Sequence, residues 1–284
     1  MTYSCFAVDV EDHIAHVRMI RPERANSMIP AFWSELPEIV EHLSESGDAR
    51  VIVLSAEGRH FCSGMDLAVF GGNSDVGGPH GEGQRGFPSR QRASFRATAL
   101  KLQRTFSCLE HSRLPVLAAV QGACMGGGID MISAADLRYA TEDAFFCIQE
   151  INIGMTADVG TLQRMPKLVP EGVVRELAYT GRRMGAAEAH SIGFVNQVFA
   201  DHAALVDGVL DVAAQIAAKS PMAIWGTKQT MNYSRDHSVA DGLEYIATWN
   251  AAMFDTDDMA EAFTATQEQR DPDFPDHRPI QGQL

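Results

Sequence analysis

Short apolar runs alternate with amphipathic segments through the first half of the chain. The runs His16–Ile20, Val51–Ser55 and Pro115–Val120 have the length and composition of buried strands. Between the first two, the pattern of apolar and polar positions predicts a helix over roughly Pro30–Ser44. Strands that alternate with helices in this way are typical of an α/β domain.

The pattern continues beyond the third strand with shorter elements. Apolar residues at helical spacing lead into that strand, and two further strands follow a short helix, which is consistent with repeated strand–strand–helix units. These predicted elements are a helix through Phe95, Leu102, Phe106 and Leu109, a short helix Ile129–Ala135, and the strands Leu137–Ala140 and Phe145–Ile148.

From about residue 201 the pattern is helical alone. An apolar stripe runs from Leu205 to Ile216, and Ser238 with Asp241 predicts a capping box that opens a later helix. Such a region serves oligomerisation or forms a further layer on the same core, and the sequence leaves both open. The predicted divisions are a core (1–200), a helical region (201–270) for which oligomerisation is one of these two alternatives, and an extended tail (271–284).

Composition and charge narrow the class of protein. A chain of 284 residues with 45% hydrophobic and 21% charged residues is typical of a soluble globular protein. The formal net charge of −14 disfavours nucleic acid as a partner, because phosphate contacts need a basic surface. No apolar run approaches the ~20 residues of a membrane span. Neither Met1–Glu11 nor the last four residues resemble a targeting signal, so we predict a cytoplasmic protein.

Cysteine and histidine usage gives little support for a metal site. The five cysteines are scattered, without a Cys-x-x-Cys pair, which favours reduced thiols that fill space in the core. The ten histidines show no spacing typical of metal ligands. We therefore predict no metal.

A long irregular segment interrupts the pattern between Gly71 and Ser89. It is rich in glycine and contains two prolines. Long loops inside compact domains tend to be functional lids or mobile insertions, which is our expectation here.

Two glycine loops follow predicted strands. Gly126-Gly127-Gly128 lets the backbone bend sharply and lets a ligand approach the amides, and Ser63-Gly64-Met65-Asp66 offers a second such loop. Two amides that converge on one oxygen form an oxyanion hole, worth about 3–4 kcal/mol per donor. Taken singly, either loop is more often a tight turn than a site.

Three carboxylates come close behind the triple glycine. Asp130, Glu150 and Asp158 all have apolar or small neighbours, although acidic side chains are seldom buried without a partner. Each has a structural alternative: Asp158 as a helix N-cap, Asp130 as a partner of Arg138, and Glu150 as one position of an alternating strand. Together they favour a site.

Crowded carboxylates in apolar surroundings are suited to proton transfer. They cannot all ionise, so at least one pKa rises. A protonated acid beside an ionised base can remove a proton at one carbon and deliver a proton at another. Coupled to an oxyanion hole, this chemistry suits an enolate next to a thioester carbonyl.

These segments also resemble a known family. Phe61–Leu67 and Gly122–Gly128 resemble loops of the crotonase, or enoyl-CoA hydratase/isomerase, superfamily, and Arg21–Met28 is similar to its first CoA-binding loop. The resemblance covers roughly residues 5–270. It implies an α/β fold of the ClpP/crotonase type, which is a spiral of strand–strand–helix units with a C-terminal helical trimerisation region.

The nearest resemblance within the superfamily is to its Δ3,5-Δ2,4-dienoyl-CoA isomerases. Asp143–Phe146, Ala157–Arg164 and Tyr233–Val239 are similar to segments of those enzymes. Hydratases typically carry Glu where this chain has Asp130, and they lack an acid corresponding to Asp158. The resemblance therefore implies conversion of a 3,5-dienoyl-CoA into a 2,4-dienoyl-CoA in the oxidation of unsaturated fatty acids.

The resemblance also implies roles for individual residues. The amides of Met65 and Gly127 would hold the thioester oxygen, Glu150 and Asp158 would shuttle protons, and Asp130 would support the site. Coenzyme A would enter with the substrate, without a separate cofactor, and the protein would form a homotrimer or hexamer. The implied substrate-binding residues are Arg24, Ala25, Ser63, Gly64, Asp66, Leu67 and Gly126.

Other functions stay open at this stage. The nearest are hydration of a 2-enoyl-CoA and Δ3-Δ2 isomerisation, and Asp158 distinguishes both from the dienoyl reaction. A more distant alternative is an RNA-binding or scaffolding crotonase without activity. The acidic charge balance and the three carboxylates disfavour that alternative.

Overall fold

The computed structural model describes residues 2–66, 69 and 88–280. Leu67 lies outside the described residues, as does the part of the predicted insertion that spans 71–87. Within the described part of the chain, no helix is both long enough and apolar enough to cross a bilayer.

Two β-sheets organise the fold. The larger has the strand order β1-β2-β3-β4-β6-β9, in which only the β1–β2 hairpin is antiparallel, and the smaller has the order β5-β7-β8. Parallel neighbours require crossover connections, which helices and loops supply here. The strands are β1 (Phe6–Glu11), β2 (Ile14–Met19), β3 (Val51–Ala56), β4 (Val116–Val120), β5 (Ala123–Met125), β6 (Leu137–Thr141), β7 (Phe145–Cys147), β8 (Met184–Gly185) and β9 (Gln197–Phe199).

Helices cover the sheets and follow them along the chain. In chain order they are α1 (Phe32–Ser46), α2 (Pro88–His111), α3 (Gly127–Ser133), α4 (Thr161–Arg164), α5 (Glu171–Thr180), α6 (Ala186–Ser191), α7 (His202–Ala217), α8 (Pro221–Ser234), α9 (Val239–Met253) and α10 (Thr256–Glu268). Short 3-10 turns occupy Pro22–Arg24, Gln149–Ile153 and Met165–Lys167.

The central strands β3 and β4 of the larger sheet are buried on both faces. Every residue of β3 is buried, as expected for a central parallel strand. On one face, Leu205 and Val209 of α7 pack against Val51 and Val53. Helix α7 falls within the region predicted for oligomerisation, and here it forms a layer on the sheet.

The helical segment that follows Asp158 is interrupted. Helix α4 ends at Arg164, and a 3-10 turn continues from Met165 to Lys167. Pro166 lies inside that turn and has no N–H to donate, so the regular α-helical hydrogen bonds cannot continue there.

The end of the chain lies against the core. Residues 271–280 have no regular secondary structure, yet Phe274 and His277 are buried. The Arg50 guanidinium donates to the carbonyl of Phe274 at 2.6 Å, and the Ile280 N–H donates to the carbonyl of Glu45 at 2.8 Å. The tail is therefore attached to the N-terminal half of the fold.

Candidate active site

Three loops converge at the ends of β2, β3 and β5. The buried Asn26 connects two of them, because its side-chain amide donates to the carbonyls of Glu57 at 3.0 Å and His60 at 2.8 Å. The third loop is joined through Cys62, whose N–H donates to the carbonyl of Ala123 at 3.0 Å. These contacts bring the predicted glycine loops together.

The Met65 amide points into the space between the loops. Met28 donates to the carbonyl of Gly64 at 2.9 Å and accepts from Asp66 at 3.0 Å. In a parallel pairing of this kind, the N–H of the intervening residue faces away from the partner. Within the described part of the chain, the N–H of Met65 donates to no backbone carbonyl.

The second free amide belongs to Gly127, the first residue of α3. Gly126 precedes it with φ +51°, a conformation that favours glycine, and the first N–H groups of a helix have no partner inside it. A Cβ added at Gly64 would lie 3.7 Å from the Gly127 nitrogen, so the two loops are in contact. The two predicted amides therefore lie on neighbouring loops, and the oxyanion hole, which needs two convergent N–H donors, stays a prediction.

Glu150 lies beside this pair of amides. One of its carboxylate oxygens is 3.1 Å from where a Cβ of Gly126 would be. Burial, together with the charges of Asp130 and Asp158, raises the pKa of Glu150 to about 7. The alternating strand pattern does not extend to this residue, because β7 ends at Cys147 and Glu150 belongs to a 3-10 turn.

Asp130 is fully buried beneath the site. One carboxylate oxygen accepts from the N–H of Thr161 at 2.6 Å, and the other has no hydrogen-bond partner within the described part of the chain. Burial raises the pKa of Asp130, the bond from Thr161 lowers it and the charge of Asp158 raises it, and the net result is a pKa of about 6. The alternative pairing with Arg138 does not form, since that guanidinium donates to the carbonyls of Phe194 and Ala135.

Asp158 lies at the rim of the site, where the residue is exposed to solvent. Partial burial of the carboxyl group raises its pKa above the usual value. It is not an N-cap, because Gly160 occupies that position at the start of α4. The backbone carbonyl of Asp158 accepts from the Gln103 side chain at 2.7 Å. A rim acid thus stands near two inner carboxylates whose pKa values respond to its charge.

The buried charge of Asp130 predicts a pH-dependent cost in stability. Its pKa rises on folding, so ionisation opposes folding: the penalty is absent below the ordinary pKa near 4 and complete above about pH 6. We expect it to reach about 3 kcal/mol at pH 8. The Asp130→Asn variant, compared with the wild type by urea unfolding, should therefore gain about that much free energy of unfolding between pH 4 and pH 8.

The control for this experiment is Asp48→Asn, which removes an exposed carboxylate. Its difference from the wild type should stay nearly constant with pH. Asparagine also places an amide where the unpaired oxygen of Asp130 lies, but that effect does not depend on pH. If the free energy of unfolding of Asp130→Asn differs from that of the wild type by the same amount at pH 4 and pH 8, ionisation of Asp130 does not oppose folding.

The residues implied in substrate binding border the same loops. Ser63 donates from its N–H to the carbonyl of Ala25 at 3.0 Å, and the hydroxyl of Ser27 donates to the carboxylate of Asp66 at 2.8 Å. Arg24 is exposed at the end of its 3-10 turn. Leu67, which is also implied in substrate binding, lies outside the described residues.

An apolar wall beside the amides was not anticipated from the sequence. A Cβ added at Gly127 would meet the Met28 sulfur at 2.8 Å and the far edge of the Trp33 indole at 4.0 Å. The ring of Trp33 also packs against Phe106, with centroids 5.4 Å apart. Any side chain at position 127 would displace this wall. The sequence signal for this wall was the position of Trp33, which follows shortly after the Arg21–Met28 loop.

Comparison with known proteins identifies the family. Residues 9–277 match the enoyl-CoA hydratase/isomerase family model. The chain therefore belongs to the enoyl-CoA hydratase/isomerase, or crotonase, family, and its fold is the predicted crotonase type. The solved enoyl-CoA hydratase of Bacillus anthracis superposes with a TM-score of 0.85 at 28% identity, over 96% of this chain and 99% of that one.

Two curated relatives are more similar in sequence. The mitochondrial Δ(3,5)-Δ(2,4)-dienoyl-CoA isomerase of Mus musculus is 42% identical over 92% of this chain and 78% of the relative. The peroxisomal enzyme of the same name from Arabidopsis thaliana is 40% identical over 94% of both chains. These locations contradict the predicted cytoplasmic location. That prediction, which relied on the lack of a recognisable targeting signal, was wrong.

Proposed function

We propose that this protein isomerises 3,5-dienoyl-CoA to 2,4-dienoyl-CoA. The observation that carries the proposal is the grouping of three carboxylates, the exposed Asp158 and the inner Asp130 and Glu150, beside the neighbouring glycine loops. The relatives named as dienoyl-CoA isomerases support the same reaction. The proposed step belongs to the oxidation of unsaturated fatty acids.

The reaction begins at the thioester. Its oxygen accepts hydrogen bonds from the amides of Met65 and Gly127, which stabilise negative charge on that atom. Glu150, as a carboxylate, takes a proton from C2. The electron pair left behind spreads through the conjugated system, and the dienolate places charge on the thioester oxygen.

The second half of the reaction takes place at the other end of the conjugated segment. Protonated Asp158 delivers its proton to C6, and the double bonds move to C2–C3 and C4–C5. One proton leaves and one arrives, so the product has the composition of the substrate. Asp130 acts through its neighbours, because its charge opposes ionisation of Glu150. Coenzyme A enters as part of the substrate, and no cofactor takes part.

The division of roles explains the need for the rim acid. Proton transfer over a conjugated segment needs a base at one end and an acid at the other, both within hydrogen-bond reach of their carbons. Glu150 next to the amides suits C2, which is adjacent to the thioester carbonyl. The exposed Asp158 at the rim is then the acid that we assign to C6.

An absorbance assay tests the proposed reaction. Purified protein is mixed with a 3,5-dienoyl-CoA, and the formation of the conjugated 2,4-dienoyl thioester is followed. The same preparation is then given a 2-enoyl-CoA, whose hydration removes its conjugated absorbance. We expect formation of the dienoyl product to be the faster reaction. Hydration without isomerisation would keep the family and discard the proposed reaction.

We further propose that the protein acts as a homotrimer or hexamer. The C-terminal helices carry large apolar side chains that are exposed in the single chain, which is typical of surfaces that meet a partner. Light scattering after size exclusion would test this, and a monomer would contradict it. Those side chains include Met231, Val239, Leu243, Phe254 and Phe263.

A further inference from the structure

A cluster of three charged residues joins α2, α4 and the end of α8 behind the Asp158 loop. We call Glu110, Arg164 and Arg235 the Glu110 cluster. One carboxylate oxygen of Glu110 accepts two bonds from the Arg164 guanidinium, at 2.9 and 2.7 Å. The other oxygen accepts from Arg235 at 2.7 Å. The catalytic steps described above do not use this cluster.

The cluster is mostly shielded from water. The side chains of Arg164 and Glu110 are only 12% and 18% exposed, and that of Arg235 is 30% exposed. Charge-assisted bonds that engage both oxygens of a carboxylate fix its orientation as well as its position. Without the charge of Glu110, two guanidinium groups would face each other with nothing between them to offset their repulsion.

Arg164 in turn holds the loop that carries Asp158. Gly160 has φ +142°, and a Cβ added there would lie 1.8 Å from a guanidinium nitrogen of Arg164. The guanidinium therefore lies directly against the glycine backbone, and it also reaches the carbonyl of Val159 at 3.4 Å. Only glycine fits between this arginine and the loop.

The two ends of the same loop are held independently. At one end Gln103 of α2 donates to the Asp158 carbonyl at 2.7 Å. At the other end the N–H of Thr161 donates to Asp130 at 2.6 Å. The middle of the loop, at Val159 and Gly160, is the part that depends on Arg164.

We infer that Glu110 is a positioning residue for Asp158 and acts through Arg164. Arg235 connects the Glu110 cluster to the C-terminal helices. The inference rests on the proposed function, in which Asp158 delivers a proton at C6. A displacement of about 1 Å at a reacting group can lower the rate about a hundred-fold. The segment Tyr233–Val239, similar to isomerase sequences, contains Arg235 and thus gains a role in positioning the acid.

The test is the Glu110→Gln variant, which keeps the shape of the side chain and removes its charge. We expect kcat for 3,5-dienoyl-CoA to fall 10- to 100-fold while KM changes less than two-fold, because the thioester contacts are untouched. The second measurement, made in D2O, is the exchange-to-product ratio, which is the amount of deuterium incorporated at C2 of the recovered substrate divided by the amount of product formed. This ratio should rise. A slow delivery at C6 gives the dienolate time to return to substrate.

Two further variants make the result specific. Arg164→Lys keeps the positive charge but loses the planar guanidinium with its several N–H donors. It should shift the exchange-to-product ratio in the same direction as Glu110→Gln. Asp236→Asn is the control, since Asp236 borders the same cavity but pairs with Lys167 on the surface. It should leave kcat and the exchange ratio unchanged.

Two results would overturn the inference. One is an unchanged kcat in Glu110→Gln. The other is a loss of kcat with no rise in the exchange ratio, which would indicate general damage to the fold. Failure of the proposed function would be recognised separately, because the wild type would then form no 2,4-dienoyl-CoA.

Discussion

Replacing Glu150 by glutamine is expected to lower kcat for 3,5-dienoyl-CoA isomerisation by about a thousand-fold or more. Glutamine fills the same space but cannot accept a proton from C2, and a positioned base typically contributes up to about 10⁴-fold. The amides that hold the thioester are unaffected, so KM should change little. The measurement is the rate of appearance of 2,4-dienoyl absorbance at saturating substrate.

The matched control is Glu11→Gln, an identical chemical change on an exposed strand. It should retain wild-type turnover. A Glu150→Gln enzyme that retains more than a tenth of wild-type kcat would assign the removal of the C2 proton to another group. Of the two remaining carboxylates, Asp130 would be the first to examine, because its free oxygen is buried beside the site.

Replacing Asp158 by asparagine is expected to lower isomerisation about a hundred- to a thousand-fold, through the second step. Asparagine has no acidic proton for C6, whereas Glu150 and the amides can still form the dienolate. The same absorbance assay measures the loss. This variant separates the dienoyl reaction from hydration, because only the dienoyl reaction needs an acid at C6.

Asp48→Asn serves as the control, with the same chemical change on an exposed turn. Turnover that is unaffected in Asp158→Asn would overturn the role of Asp158 as the acid at C6, and with it the role inferred for Glu110. Loss of activity in both aspartate variants would point instead to a general sensitivity of the preparation.

The sequence predicted the buried strands well because buried strands consist mostly of apolar residues. Strand β3 is apolar at nearly every position, so its observed bounds, Val51–Ala56, differ from the prediction by one residue. The capping box of α9 formed as predicted, with Ser238 and Asp241 exchanging hydrogen bonds. Local side-chain chemistry of this kind is visible in a few neighbouring letters.

The supporting parts of the site were not predictable because they depend on distant contacts. Glu110 meets Arg164 across 54 residues and Arg235 across 125, and nothing in the neighbouring letters of any of them indicates the pairing. The 3-10 turn that carries Glu150 was not predicted either. An alternating apolar pattern favours a strand, but the chain turns after Cys147, which pairs with the Gly126 amide at 3.0 Å.

The division of labour between Glu150 and Asp158 is tested most directly by hydrogen exchange in the Asp158→Asn variant. The variant is incubated with 3,5-dienoyl-CoA in D2O, and the recovered thioester is examined by proton NMR. We predict that the C2 protons are replaced by deuterium while little 2,4-dienoyl-CoA forms, because Glu150 still removes a proton and none is delivered to C6. Conversion at the wild-type rate, or recovered substrate that keeps both C2 protons, would contradict this account.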